Sequence, residues 1–396
     1  MVRRFDASLI ALWLIFFLNG AVLSSWAPRI PEVQHELHLT DGVLGGALFG
    51  VAAGSVPALV ATGALLRRAP GNAVCLLSSI VFAAALPLIA LARNGIELGL
   101  VLAVLGAASG CLDVAMNTLG IRYEERRRSR VLSRLHGGYS LGVLAGTGAG
   151  ALAAHFDVAV GLHFGAVAVL LSVVALGVSP LLPADATVPA IIARRRRPAR
   201  LPLSVAALAV AALLMEGMIA DWSALLVGRD HGGGTSLGAF TLTAFSCAMF
   251  ISRSVGDGLV DRFGIRRMIR TGSVVLLAAI VAGLALSSPV CTLLAITISG
   301  LVLGPLFPLA VSAAGLAAPS DIATATAKVS AIGYLAFLGG PPLVGAGAEL
   351  FSLPPTFALV TFACGITIAF GSRHRPLSIG DTEGDRNRSG ERRGQK

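Results

Sequence analysis

Uncharged apolar stretches long enough to cross a bilayer recur from one end of this sequence to the other, and that recurrence limits the fold more than any motif does. They cover residues 7 to 28, 42 to 66, 69 to 92, 135 to 156, 158 to 184, 231 to 252 and 350 to 372. Each reaches the roughly 20 residues that a helix needs to cross ~30 Å of hydrocarbon. The stretch from Thr271 to Ser320 carries no charge at all, and Ser287-Ser288-Pro289 divides it into two helices. Three further spans are interrupted by isolated charges: about 96 to 120 by Asp113, 201 to 228 by Glu216 and Asp221, and 326 to 350 by Lys328 and Glu349. The expectation is an all-α integral membrane protein with twelve transmembrane helices, since backbone groups in lipid must bond within their own segment and the alternating pattern of barrel strands is absent.

Composition agrees. Of 396 residues, 55% are hydrophobic and 13% charged, against about 25% charged in soluble domains, and the mean hydropathy is +0.81. The first span, after Met-Val-Arg-Arg, reads as helix one rather than a signal peptide, because similar spans follow it without a convincing cleavage site.

The net charge of +10 is explained by where the basic residues fall. Alternate connections on one side hold Arg3 and Arg4, Arg67 and Arg68, the run Arg122 to Arg134, the run Arg194 to Arg200, Arg262, Arg266, Arg267, Arg270, Lys328 and every basic residue beyond 372; the other side holds Arg29, Arg93 and Arg229. This asymmetry predicts that both termini are cytoplasmic, in a bacterial cytoplasmic (inner) membrane. It also accounts for EERRRSR (124 to 130) and ARRRR (193 to 197) without nucleic acid, since neither run has interleaved aromatics.

The polar connection after helix six divides the chain into six helices plus six. The expected organisation is an N-terminal bundle over 1–182, an Arg/Pro-rich cytoplasmic linker over 183–200, a C-terminal bundle over 201–372 and a disordered cytoplasmic tail over 373–396. Weak internal similarity supports two pseudo-symmetric halves: Asn19-Gly20 leads to Trp26 as Glu216-Gly217 leads to Trp222, and Gly138-Tyr139 resembles Gly333-Tyr334. Parallel six-helix repeats around a central site are an established transporter arrangement. Many of the 47 glycines fall in small-residue series such as Gly142, Gly146 and Gly150, which let helix backbones approach closely.

Ionisable groups within apolar spans mark solute or ion pathways. Glu216 lies about 22 Å along its helix from Leu201, near mid-depth. Asp221 is nearer the outer surface and about 140° away around the axis, so the two carboxylates need different surroundings. Asp113 and Asn117 stand four apart on one face, and Arg253 and Asp257 have the spacing of an i, i+4 ion pair. A carboxyl group whose surroundings alternate can take a proton at one membrane face and release it at the other; Glu216 or Asp113 is the expected coupling site. Trp26 and Trp222 are candidates to stack on a sugar ring, with an interfacial aromatic belt as the alternative.

Other chemistries fit less well. Gly138, Ser140 and Gly142 satisfy the G-x-S-x-G nucleophile pattern, and His231 with Gly232 to Gly234 looks like an oxyanion-hole run, but Ser140 lies inside a glycine-rich helical span rather than at a strand-to-helix turn. Cys75, Cys111, Cys247, Cys291 and Cys364 form no C-x-x-C pair, so no disulfide framework, metal site or cofactor is predicted. No G-x-x-x-x-G-K-[ST] loop is present, which excludes the usual nucleotide site.

The stretch Gly258-Leu-Val-Asp261-Arg262-Phe-Gly264-Ile-Arg266-Arg267 resembles the G-x-L-x-D-R-x-G-R-R loop of the major facilitator superfamily, with Asp257 where the leading glycine would fall. The equivalent first-half loop, Gly63 to Asn72, has Arg67 at the family's acidic position. NGAVLSSWAPRIP (19 to 31), Asp113 to Asn117, His136 to Gly142, EGMIADWS (216 to 223) and GYLAFLGGPPLVG (333 to 345) look like its bacterial fucose-permease-type branch. The resemblance implies the twelve-helix fold of that superfamily and a non-enzymatic secondary transporter, with a small solute and protons as its partners, working as a monomer in the lipid bilayer. It implies a solute and proton pathway drawn from Asn19, Trp26, Asp113, Asn117, Tyr139, Glu216, Asp221, Trp222, Arg253 and Tyr334, and a cytoplasmic gate formed by Asp257, Gly258, Asp261, Arg262, Gly264, Arg266 and Arg267. Proton-driven efflux of drugs or metabolites is the alternative direction.

Overall fold

The computed structural model describes residues 6–127, 131–183, 201–317 and 322–371. Among the described residues there is no strand, and every apolar span is helical: α1 (Ala7–Trp26), α2 (Asp41–Leu65), α3 (Gly71–Ala85), α4 (Gly95–Arg127), α5 (Leu132–His155), α6 (Val160–Val178), α7 (Leu203–Leu225), α8 (Gly234–Phe263), α9 (Ile265–Leu286), α10 (Pro289–Leu303, continuing as Leu306–Ala317 after a break), α11 (Ile322–Phe351) and α12 (Leu353–Gly371). A short helix, Ile30–Glu36, lies between α1 and α2, and among the described residues ten helices are long and apolar enough to cross a membrane, in keeping with the all-α membrane fold the sequence predicts.

Local chemistry sets where they start and stop. Thr40 Oγ1 accepts from the Val43 N–H at 3.3 Å to cap α2. Before α4, Asn94 Oδ1 accepts from the Glu97 N–H while the Glu97 carboxylate accepts from the Arg93 N–H, both at 2.9 Å, a reciprocal cap that satisfies donors a helix start leaves orphaned. Gly264 joins α8 to α9 at φ +79°, a backbone state that a side chain resists.

α1 opens with the Asp6 carboxylate accepting from the Ser8 N–H at 3.1 Å. The same carboxylate accepts from the Tyr123 hydroxyl and pairs with Arg127, both on α4. The Tyr123 hydrogen bond, more than the Arg127 charge, holds the Asp6 carboxyl below its ordinary pKa. A carboxyl group depressed on folding adds stability that is complete above its unfolded pKa and is lost as pH falls through the folded one. Asp6→Asn, which keeps a capping side chain, is therefore expected to melt below the parent protein at pH 7 and to converge with it as the pH drops below the carboxylate range; Asp6→Ala should lose about 1 kcal/mol more through the missing cap. Thermal unfolding of the purified variants across pH checks this.

The chain forms two compact units, one of Met1–Ala193 with Gly234–Thr243, the other of Arg194–Gly233 with Ala244–Lys396. In the first, α1 packs on α5 and α6, α3 on α4 and α6, and α2 on α4. In the second, α7 packs on α11 and α12, and α9 on α10 and α12, which repeats the first unit's pairings six helices later. The fifth pairing recurs through α8 and α10, where the Ser252 hydroxyl donates to the Gly300 carbonyl at 3.4 Å.

Glycine makes the closest of these crossings possible. A β-carbon on Gly54 would run into the Ala103 carbonyl oxygen, 2.7 Å from its carbon and 2.8 Å from the Ala107 nitrogen. Gly20 on α1 faces the Tyr139 and Val143 backbone of α5 in the same way. Large apolar side chains such as Val60 and Leu170 are instead mostly exposed, as a lipid-facing surface requires. α7 is the most enclosed span, with 61% of its central window buried against 28% for α6 and for α9.

Candidate functional site

In the second unit, two charges meet that lie on different helices. Arg253 of α8 donates through Nη2 to both carboxylate oxygens of Glu216 on α7, at 3.4 Å. Its Nε donates to the Gly304 carbonyl at 3.1 Å. That carbonyl is available because the residue four places on is Pro308, which has no N–H to close the helical bond. Gly304 also lacks a side chain where Ser252 Oγ presses against it, so α8 can approach the break in α10.

This geometry is suited to a charge switch. The carboxylate is the more enclosed partner, 22% exposed against 38% for the guanidinium, so losing the Arg253 charge costs most at Glu216, which would keep a half-buried charge without its cation. The bonds to Glu216 are long, and the better-formed one goes to Gly304, so Arg253 keeps an anchor if the carboxylate lets go.

Asp221, one and a half turns further along α7, is half-buried and has no partner among the described residues. Next to it Trp222 is fully buried, and among the described residues neither its Nε1 nor the Ser223 hydroxyl has a hydrogen-bond partner. α7 then ends in a π-helical turn, Leu226–Asp230, an irregularity frequent near functional sites. Asn19 is buried on α1 and Tyr139 half-buried on α5. On α4, the Asn117 amide donates to the Asp113 carboxylate at 3.1 Å and to its carbonyl at 2.8 Å, so this pair is joined as the spacing predicts; no cation among the described residues pairs with Asp113.

Arg253 reaches Glu216 and Gly304 on other helices, while the side chains of Asp257, Asp261 and Tyr334, and the surroundings of Gly258, lie outside the described residues. α8 runs to Phe263, so Asp261 lies in its last turn, and only Gly264 separates α8 from α9. The apolar run ends before the helix does, because a charged helix is stable once it leaves hydrocarbon. Arg262 stacks over Phe263 at 5.3 Å, Arg266 is half-buried and Arg267 exposed. In the first half, Arg67 donates to the Gly63 carbonyl at 3.0 Å, placing a cation at the negative end of α2. An aromatic belt does not fit Trp26, 2% exposed with its ring edge to Phe164, or Trp222, 0% exposed; both rings are inside their own units. Ser140 sits within α5 and donates to the His136 carbonyl at 3.1 Å, so the serine pattern has no nucleophile elbow.

Comparison with known proteins agrees with this architecture. The model of the Major Facilitator Superfamily matches residues 205–393. An uncharacterised MFS-type transporter of Yersinia pestis is 28% identical over 369 residues, which is 91% of this chain and 94% of the relative. The structure of a variant of the nucleoside transporter NupG superposes with a TM-score of 0.74 at 13% identity, covering 92% of this chain and 98% of that one. The D-xylose–proton symporter superposes with a TM-score of 0.74 at 11% identity, covering 94% and 98%. The two solved structures match the fold, and the relative matches nearly the whole length. The chain is similar to the Major Facilitator Superfamily over its second half and to an MFS-type transporter over nearly its whole length, a likeness that fits a multi-pass membrane transporter.

Proposed function

We propose that this transporter moves a small polar solute of the sugar or nucleoside class across the bacterial cytoplasmic membrane by alternating access, and that a proton binding at Glu216 drives the movement. The observation that carries this reading is the Glu216–Arg253 pair in an otherwise apolar part of the second unit. A proton arriving on Glu216 cancels its charge and frees Arg253 to rely on Gly304, which gives proton binding a mechanical consequence. The solute class rests on the fold shared with NupG and the xylose symporter.

In this reading the two six-helix bundles are the moving parts, the basic connections and both termini are cytoplasmic, and the protein works as a monomer. Asp257, Asp261, Arg262, Arg266 and Arg267 around the α8–α9 joint act as the cytoplasmic latch, with Gly264 as its pivot.

The test is uptake of labelled sugars and nucleosides into proteoliposomes under an inward proton gradient. Accumulation of one class above equilibrium, abolished by a protonophore, is the expected result. Accumulation that a protonophore leaves unchanged overturns proton coupling, and transport of neither class overturns the solute assignment.

A further inference from the structure

A buried polar cluster lies wholly in the first unit, where the end of α1 meets α6. Arg29 follows α1 directly and is 2% exposed. Its Nη2 donates to the Val158 carbonyl at 2.6 Å and it is paired with Glu32. Among the described residues its Nε and Nη1 are buried without a partner, and so are both ring nitrogens of His163 on α6, a residue 7% exposed. Arg29 reaches the backbone just before α6, and His163 lies in the first turn of that helix. Trp26, three residues before Arg29, and Phe164, next to His163, meet edge to face at 6.3 Å.

Buried polar groups are almost always bonded, and a cluster that leaves several unbonded calls for an occupant. The unmatched groups here are one-sided: Nε–H offers one donor, Nη1 two and the imidazole one, against a single imidazole acceptor. Water brings donors as well as acceptors and would leave that excess in place. A ligand that only accepts removes it. Glu32 already balances part of the Arg29 charge, and the N-terminal end of α6, which begins two residues after Val158, adds positive potential.

We propose that Arg29 and His163 together hold a small inorganic anion, chloride in ordinary buffers, inside the first unit. The anion joins α1 to α6 within the first unit and shares no residue with the Glu216–Arg253 pair, so it stabilises that bundle without taking part in proton coupling.

The experiment is thermal unfolding of the purified full chain in detergent as chloride or bromide replaces gluconate at constant ionic strength. The parent protein should gain about 2–4 °C in a saturable way. His163→Phe, which keeps the ring volume but removes both nitrogens, should lose that dependence, and so should Arg29→Gln. Should Arg29→Gln fail to fold, His163→Phe decides the matter alone. Equal melting in chloride and gluconate for the parent overturns the proposal and leaves water as the occupant; so does full halide dependence in His163→Phe.

Discussion

Glu216→Gln is expected to abolish proton-driven accumulation while leaving solute exchange intact. The amide preserves the size of the side chain and an acceptor for Arg253, but it cannot gain or lose a proton. One pH unit is worth about 1.4 kcal/mol, a factor of ten in an equilibrium constant. With one proton moved per solute, an inward gradient of one unit should therefore support about tenfold accumulation in the parent protein, and none in the variant. Exchange of labelled for unlabelled solute involves no net proton movement and should continue in Glu216→Gln. That contrast separates a coupling residue from one that only binds solute or supports the fold.

Arg253 gives the complementary result. Arg253→Gln leaves the Glu216 carboxylate without its cation and the Gly304 carbonyl without its donor, so the single variant should be less stable than the parent. Combining it with Glu216→Gln removes the unpaired charge, and the double variant should recover part of the lost stability. A thermodynamic cycle over the four proteins measures the coupling, which for a pair this long and partly exposed should be on the order of 1 kcal/mol. Equal and independent losses would mean that the two side chains do not act on each other.

The helices were legible in the sequence because lipid imposes a simple rule: a span needs about twenty apolar residues, and its backbone must bond to itself. The same rule misplaces helix ends. α8 continues through Arg253, Arg262 and Phe263, because charge ends an apolar run without ending a helix. The Glu216–Arg253 pair was half legible. Each residue stood out as a charge within a span, but their meeting depends on how α7 and α8 are rotated about their axes, which spacing along one helix does not report. The best local signal was Gly-Pro-Leu-Phe-Pro from Gly304 to Pro308, since a proline four residues after Gly304 leaves a helical carbonyl free to accept. Arg29 and His163 gave still less warning. Arg29 reads as an ordinary residue in an outer connection, and His163 as a lone polar side chain in α6; only the packing of α1 on α6 brings them together.

Gly54→Ala is expected to disrupt the first unit severely, although it adds one methyl group to a helix and removes glycine's entropic penalty there. Read along α2 alone, the change should be mildly stabilising. Across the helix pair the sign reverses, because the new β-carbon would overlap the Ala103 carbonyl and crowd the Ala107 nitrogen of α4. These are backbone atoms, so no rotamer change relieves the overlap, and α2 and α4 must separate along a crossing that Gly50, Gly106 and Gly110 also hold close. Overpacking commonly costs about 1–3 kcal/mol, and a clash against backbone belongs at or above the top of that range, or about 5–10 °C in melting temperature. Gly46→Ala is the internal control. It lies on the same helix, but nothing stands within 4 Å of an added β-carbon there, so its melting temperature should equal the parent's or rise slightly. If the two variants melt alike, backbone contact between α2 and α4 is not what holds this part of the bundle together; if Gly54→Ala alone is lost, the glycines are what make each unit stiff enough to move as one piece.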